Sequence, residues 1–120
     1  MTWEVEIVAQ FGSELDEMPK AARIELAAHV ELIATFGSTL GRPHVDTLAG
    51  SKHANMKELR FSADDGEWRV AFAFDPQRKA VLLVAGDKSG GSQKRFYREL
   101  IRKADARFTA HLEMIGSEGG

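Results

Sequence analysis

The residues best equipped for chemistry in this chain are cationic and gather toward its end. Between Lys88 and Arg107 stand seven basic and two acidic side chains. They follow a loop, Gly86 to Gly91, in which three glycines can take positive φ and let backbone N–H groups converge on an anion, with Lys88 beside them. Upstream, Arg69 lies in an alternating segment, Glu67 to Phe74. An arginine on a strand beside such a loop is costly to bury unpaired, so it either pairs with Asp or Glu or faces a solvated concavity that binds anions. Fixed cations of this kind stabilise charge on a phosphate. The loop spells neither a Walker A nor a dinucleotide fingerprint, and a G-x-x-x-G-G turn after a strand is also a common connector, so both readings of the loop stand. The histidines offer less: His29 and His111 fall on helical packing faces, and His44 and His53 lack metal-ligand spacing. Lys52 and His53 could instead rim an RNA groove.

These residues need a scaffold, and its elements are legible from hydrophobic period. Trp3 to Val8 alternates apolar and acidic residues and predicts a half-buried strand near a sheet edge. Phe11 to Ser13 predicts a turn, with Ser13 capping a short helical turn through Met18. Pro19 opens a helix ending near Phe36, with Ala22, Leu26, Val30, Ile33 and Phe36 on one stripe and Gly37 as the stop. Thr39 to Asn55 has no sustained period and reads as an ordered loop pinned by Val45 and Leu48. Strands near residues 56–62, 67–74 and 80–86 make an antiparallel meander, the first two joined by a turn over Ala63, Asp64, Asp65 and Gly66 whose Asp-Gly step tolerates positive φ, and the last buried on both faces. Alternation places Leu59 and Phe61 on one face with Lys57, and Glu58, Arg60 and Ser62 on the other. Ser92 caps a final helix, expected over residues 92–113, whose apolar stripe runs Tyr97, Ile101, Ala104, Phe108, Leu112 and Ile115. Arg95, Arg98 and Arg102 fall within about 60° of one another on another arc. The fold class is α+β: a small, mostly antiparallel sheet in β-α-α-β-β-β-α order with helices packed on it.

Composition narrows the classes. A chain of 120 residues, 43% hydrophobic, makes one domain over 1–120, with 113–120 expected to be a flexible tail. The absence of cysteine excludes disulfides and thiol chemistry and fits a reducing cytosol. No run of ~18 apolar residues predicts a membrane span, and the first residues lack the basic region of a signal peptide. A net charge of −2 hides polarity: residues 1–50 carry −5 and residues 51–107 carry +5. The basic part can attract nucleic acid or an acidic protein.

The phrases LGRPHVDTL, MKELRF, WRVAFAF and AGDKSGGSQKRFYRELIRKADARF, in this order, resemble the RelE/ParE superfamily of bacterial toxins, closest to its phage-derived, HigB-like branch. The resemblance covers Trp3 to about Leu112. It implies a microbial RNase fold with helices on one face of the sheet, in a cytoplasmic toxin that cleaves mRNA on the ribosome and is inhibited by an antitoxin, commonly one with a helix-turn-helix. It also implies no metal or other cofactor, and attack of the RNA 2′-hydroxyl on the adjacent phosphate. Carried over by position, Arg69, Lys88 and Tyr97 match catalytic residues, while Lys52, His53, Lys57, Arg60, Lys94, Arg95, Arg98 and Arg102 are the expected RNA contacts. Where RelE alternates lysines, this chain has Met56 and Glu58 with Lys57 between them, which leaves the general base open. A ParE-like gyrase inhibitor and an inactive RNA-binding member are the rival readings.

Overall fold

The computed structural model describes residues 2–119 and contains one five-stranded sheet in the order β1-β5-β4-β3-β2. The strands are β1 (Glu4–Ile7), β2 (Val45–Thr47), β3 (Lys57–Ala63), β4 (Gly66–Phe74) and β5 (Lys79–Asp87). The helices are α1 (Ala9–Glu14), α2 (Lys20–Phe36) and α3 (Gln93–Gly119). The sheet is mostly antiparallel, as its short connections require; β1 alone runs parallel to its neighbour, pairing Ile7 with Leu82. The α+β expectation holds, with β1 at an edge.

Both faces of the sheet are covered, which corrects the one-sided packing that the resemblance implied. On one face α1 and α2 bury Phe11, Leu26 and Ile33 against Leu59, Val70, Phe72 and Leu82. On the other, α3 buries Leu100, Ala104 and Phe108 against Met56, Ala71, Ala73, Val81 and Leu83. A strand between two such layers must be apolar on both sides, and β5 is: Ala80 through Val84 are all buried. Its alternation is interrupted once, where Ala71 faces Val84 but Phe72 faces Leu82. The extra residue turns both Leu83 and Val84 toward α3 and reverses the phase of everything after it.

Local chemistry explains most boundaries. The β3–β4 hairpin turns through Asp64 and Asp65, both at positive φ (51° and 60°), as a two-residue turn between right-twisted strands demands. Gly66 is therefore a pairing residue, and what it needs is space: a Cβ there would lie 2.7 Å from the Asp87 carboxylate. Pro19 precedes α2, and Gly37 ends it at φ 55° against the Trp3 indole, which a Cβ would overlap. Phe36, the last member of the α2 stripe, is exposed; Ala22, Leu26 and Ile33 are the members fully buried.

Four local expectations change. The region of Phe11 to Ser13 lies inside α1, where Ser13 donates back to the Ala9 carbonyl instead of capping a later turn. The loop over residues 39–55 contains β2, which extends the sheet by pairing Val45 with Leu59; Val45 and Leu48 are buried as expected. In α3 the fully buried positions are Leu100, Ala104, Phe108 and His111, so the stripe is rotated and Tyr97 and Ile101 lie on its margin. That helix also continues through Gly119, across the region expected to be a tail, of which residue 120 lies outside the described residues.

Candidate active site

Arg60 and Arg69 are direct cross-strand partners on β3 and β4, on the face that carries α3. Two guanidinium groups so placed repel each other. Glu58, two residues before Arg60 and so on the same face, relieves this: its Oε1 lies 3.5 Å from Arg60 Nε and 3.6 Å from Arg69 Nε. Across the gap α3 contributes Tyr97, whose hydroxyl donates to the same Oε1 at 3.1 Å. One carboxylate oxygen thus organises two cations and a phenol drawn from three elements.

The members differ in access. Arg69 is only 4% exposed; its Nη1 donates to the Trp68 carbonyl at 2.8 Å, and its Nε makes no hydrogen bond among the described residues. Glu58 is buried as well, whereas the Arg60 side chain is 36% exposed. Glu67, at 4.0 Å from Arg69 Nη1 and half-exposed, is a looser second carboxylate. Of the two alternatives for Arg69, pairing with an acid is the one realised, and the arginine open to a ligand is Arg60. Burial raises the Tyr97 hydroxyl above its usual pKa; the Arg69 guanidinium opposes that rise and the neighbouring Glu58 charge adds to it. A raised value keeps the phenol protonated, which suits a proton donor and not a base.

The bulge in β5 sets the floor of this site. Because it reverses the phase, Gly86 faces α3 opposite Arg69, and the Phe96 ring fills the space where a side chain would be, 2.7 Å from a built Cβ. Beyond Gly86 the Lys88 N–H donates to the Glu67 carbonyl, so Lys88 continues the β4–β5 ladder toward the Arg69 end. The glycine loop differs from its expected form. Asp87 accepts the N–H groups of Glu67 and Ser89 together with the Ser89 hydroxyl, so amides that could cradle a phosphate already hold a carboxylate. Although burial pushes the Asp87 carboxyl up, these bonds outweigh it and hold its pKa below the usual range. Gly90 and Gly91 take positive φ with open space around them.

The remaining sequence-derived candidates separate into groups. Ser92 caps α3 as expected, its Oγ accepting the Arg95 N–H at 3.2 Å. Lys94, Arg95, Arg98 and Arg102 are exposed along the outer side of α3, with Arg102 chelated by Glu99 at 2.8 Å. Lys57 belongs elsewhere: paired with Phe72, it is on the α2 face, beneath which it lines a cleft with Thr39 and Asp46. Strand parity therefore removes Lys57 from any constellation with Arg69 and Tyr97. Lys52 and His53 lie toward the other end of α3, where His53 Nε2 meets Thr109 Oγ1 at 3.0 Å. His29 and His111 are packing residues: His29 stacks on Phe61, and buried His111 binds Asp75 at 2.8 Å. Glu58 is the candidate residue that composition and period did not single out; the signal for it was its place, two residues before Arg60 on a strand face otherwise short of acids.

Comparison with known proteins is informative once this geometry is in view. Residues 13–109 match the family described as phage-derived protein Gp49-like. The candidate toxin HigB2 of Mycobacterium tuberculosis (strain ATCC 25618 / H37Rv) is 48% identical over 86 residues, covering 71% of this chain and 42% of that protein. The candidate toxin HigB3 of the same strain is 44% identical over 86 residues, covering 72% of this chain and 73% of the relative. The match thus spans less than half of HigB2 and about three quarters of HigB3. Among solved structures, a double mutant of the E. coli toxin RelE in the free state aligns with a TM-score of 0.60 at 10% identity, covering 86% of this chain and 97% of that one. At that identity the likeness concerns the fold.

Proposed function

The chain belongs to the phage-derived Gp49-like family, a HigB-like branch of the RelE/ParE superfamily, and from that premise we propose that it is the toxin of a toxin-antitoxin module that cuts mRNA on the translating ribosome. The observation that carries the reading is the convergence of Arg60, Arg69 and Tyr97 on one oxygen of Glu58.

In the proposed reaction Glu58 is the base. Tyr97 and the two arginines occupy Oε1, and the second oxygen takes the proton of the RNA 2′-hydroxyl. The 2′-oxygen attacks phosphorus, the bond to the 5′-oxygen breaks, and a 2′,3′-cyclic phosphate and a 5′-hydroxyl result. Arg60, the accessible guanidinium, and Lys88 stabilise the charge that spreads over the phosphorane oxygens. Arg69 stays within the site, 3.6 Å from Glu58 Oε1, where its fixed charge favours the dianionic transition state. The leaving 5′-oxygen takes the Tyr97 proton; afterwards the proton on the second oxygen of Glu58 is lost to water and Tyr97 regains one from water, so the site resets with no net gain or loss. The proton count balances, and no step requires a metal. Lys94, Arg95, Arg98 and Arg102 would hold the RNA backbone and the ribosome through long-range charge. A protein antitoxin, commonly one with a helix-turn-helix, would silence this surface.

The test is expression in bacteria followed by primer extension on one message with and without its start codon. New 5′ ends confined to the translated message support the proposal. Cleavage of both messages would make the protein a free ribonuclease, and growth arrest with DNA damage and intact mRNA would replace this reading with gyrase inhibition.

A further inference from the structure

A second concavity lies further along α3 from the candidate active site, beside Phe108 and Leu112. It has a volume of about 470 Å³, larger than the 390 Å³ cleft beside Gly90 and Gly91. The loop Lys52 to Asn55 forms one wall and the β4–β5 turn around Pro76 the other, with Phe108 and Leu112 of α3 between them. We propose that this cleft is a base-reading subsite for a purine nucleotide of the bound RNA, separate from the site of cleavage.

Its walls are preformed. Asp105 of α3 accepts the Ser51 hydroxyl at 2.5 Å and the Lys52 N–H at 3.1 Å, and the Ser51 oxygen in turn accepts the His53 N–H. The His53 ring is fixed by Thr109 at Nε2 and by an edge-to-face contact with Phe108, with centroids 5.0 Å apart at 85°. A loop of five residues is thus tied to α3 by two of its side chains, Asp105 and Thr109. Ordering a loop beforehand is what recognition needs, because the conformational cost is then not charged to binding.

The chemistry of the lining selects the ligand. His53 is half-buried and lines the cleft, and an imidazole ring is a group on which a base can stack. Exposed Asn55 carries the donor and acceptor pair that matches the N6 and N7 edge of adenine, and exposed Lys52 can reach guanine O6 and N7 or the phosphate. Asp75, the acid at the cleft, is buried and its oxygens are already bound by His111 and by the N–H groups of Gln77 and Lys79, so they are not free to take a cation.

Distance ties the subsite to the active site. Tyr97, Ile101, Asp105 and Thr109 follow one another along a single flank of α3, and twelve residues of helix span about 18 Å. That is at most about five nucleotides at the 3.4 Å spacing of a stacked strand, and fewer if the strand is extended. A base held here is therefore read at a fixed, short distance from the cut. The proposal rests on the RNA-cleaving reading for its biological role, but binding can be measured without cleavage.

Two measurements test it. Fluorescence anisotropy with labelled single-stranded oligoadenylate and oligouridylate on the free protein should show tighter binding of the purine strand, with the preference reduced about tenfold in Asn55→Ala. Equal affinity for both strands, or a preference that Asn55→Ala leaves intact, overturns the proposal whether or not the protein cuts RNA. Mapping of cut sites across many translated messages should further show a purine bias at one position within about five nucleotides of the cut, flattened in Asn55→Ala while cutting continues. A bias that persists in the variant overturns the subsite and leaves the nuclease assignment standing.

Discussion

Replacing Glu58 with Gln keeps the shape of the side chain and one hydrogen-bond acceptor while removing the charge and the basicity. If Glu58 takes the 2′-proton, the rate should fall by about 10² to 10⁴, the range that general-base catalysis supplies, equivalent to about 3 to 5.5 kcal/mol on the barrier. The substitution also removes the counterion of Arg69, which is 4% exposed, and of Arg60, which is 36% exposed at its side chain. Breaking a fully buried pair costs about 3–5 kcal/mol. Arg69 keeps the Trp68 carbonyl and Glu67, and Arg60 regains water, so the expected loss is about 2 kcal/mol, or a melting temperature lower by about 8 °C at roughly 4 °C per kcal/mol. The two effects separate experimentally. Single-turnover cleavage of a ribosome-bound message, run well below the variant's melting transition, reports the chemical step; thermal denaturation reports the structural one. A loss of rate at saturating complex, with binding to ribosomes unchanged, is the expected result. Should the folded variant cleave within about threefold of the native protein, Glu58 is only a counterion that pins α3 to the sheet, and the reasoning that makes it the base is wrong.

Tyr97→Phe should slow cleavage about 100-fold with little change in melting, because the ring keeps its packing and only the 3.1 Å bond to Glu58 is lost; normal cleavage would reduce Tyr97 to a packing residue. The same residue gives an alkaline signature. Its pKa is raised in the folded state, so the protonated phenol favours the fold, a contribution present below the unfolded value of about 10 and lost as pH rises through the folded one; a melting series above pH 10 should show a decline that Tyr97→Phe lacks. Asp75→Ala, far from the proposed chemistry, should cost about 3 kcal/mol by stranding His111 and the Gln77 and Lys79 N–H groups, with specific activity at low temperature preserved; a melting loss under 1 kcal/mol would refute the buried network's role. Arg98→Ala should weaken ribosome binding and lower its salt slope by about one while leaving the saturated rate intact, and an unchanged slope would remove Arg98 from the RNA contacts.

Period and turn chemistry already determine much of this protein, because both act within a few residues. The sequence is enough to place α2 between Pro19 and Gly37, to put a hairpin turn between β3 and β4, though not to see that Ala63 and Gly66 pair and leave the two aspartates alone at positive φ, to bury β5 on both faces and to cap α3 with Ser92. It is enough to put Glu58 and Arg60 on one strand face. Tertiary structure decides what those residues meet. The oxygen that gathers Arg60 and Arg69 also binds a phenol 39 residues further along the chain, and no window of sequence contains that encounter. The β5 bulge is equally nonlocal: it is defined by a pairing with β4, yet it sets Gly86 opposite Arg69 on the α3 face, where the Phe96 ring packs on it. In the same way Asp87 fills the glycine loop because the Glu67 N–H reaches it from another strand. Local propensity sets the elements, and the partners of a buried charge are set by whichever strands and helices the hydrophobic faces bring together, since desolvation makes an unpaired charge more costly than any local preference can offset.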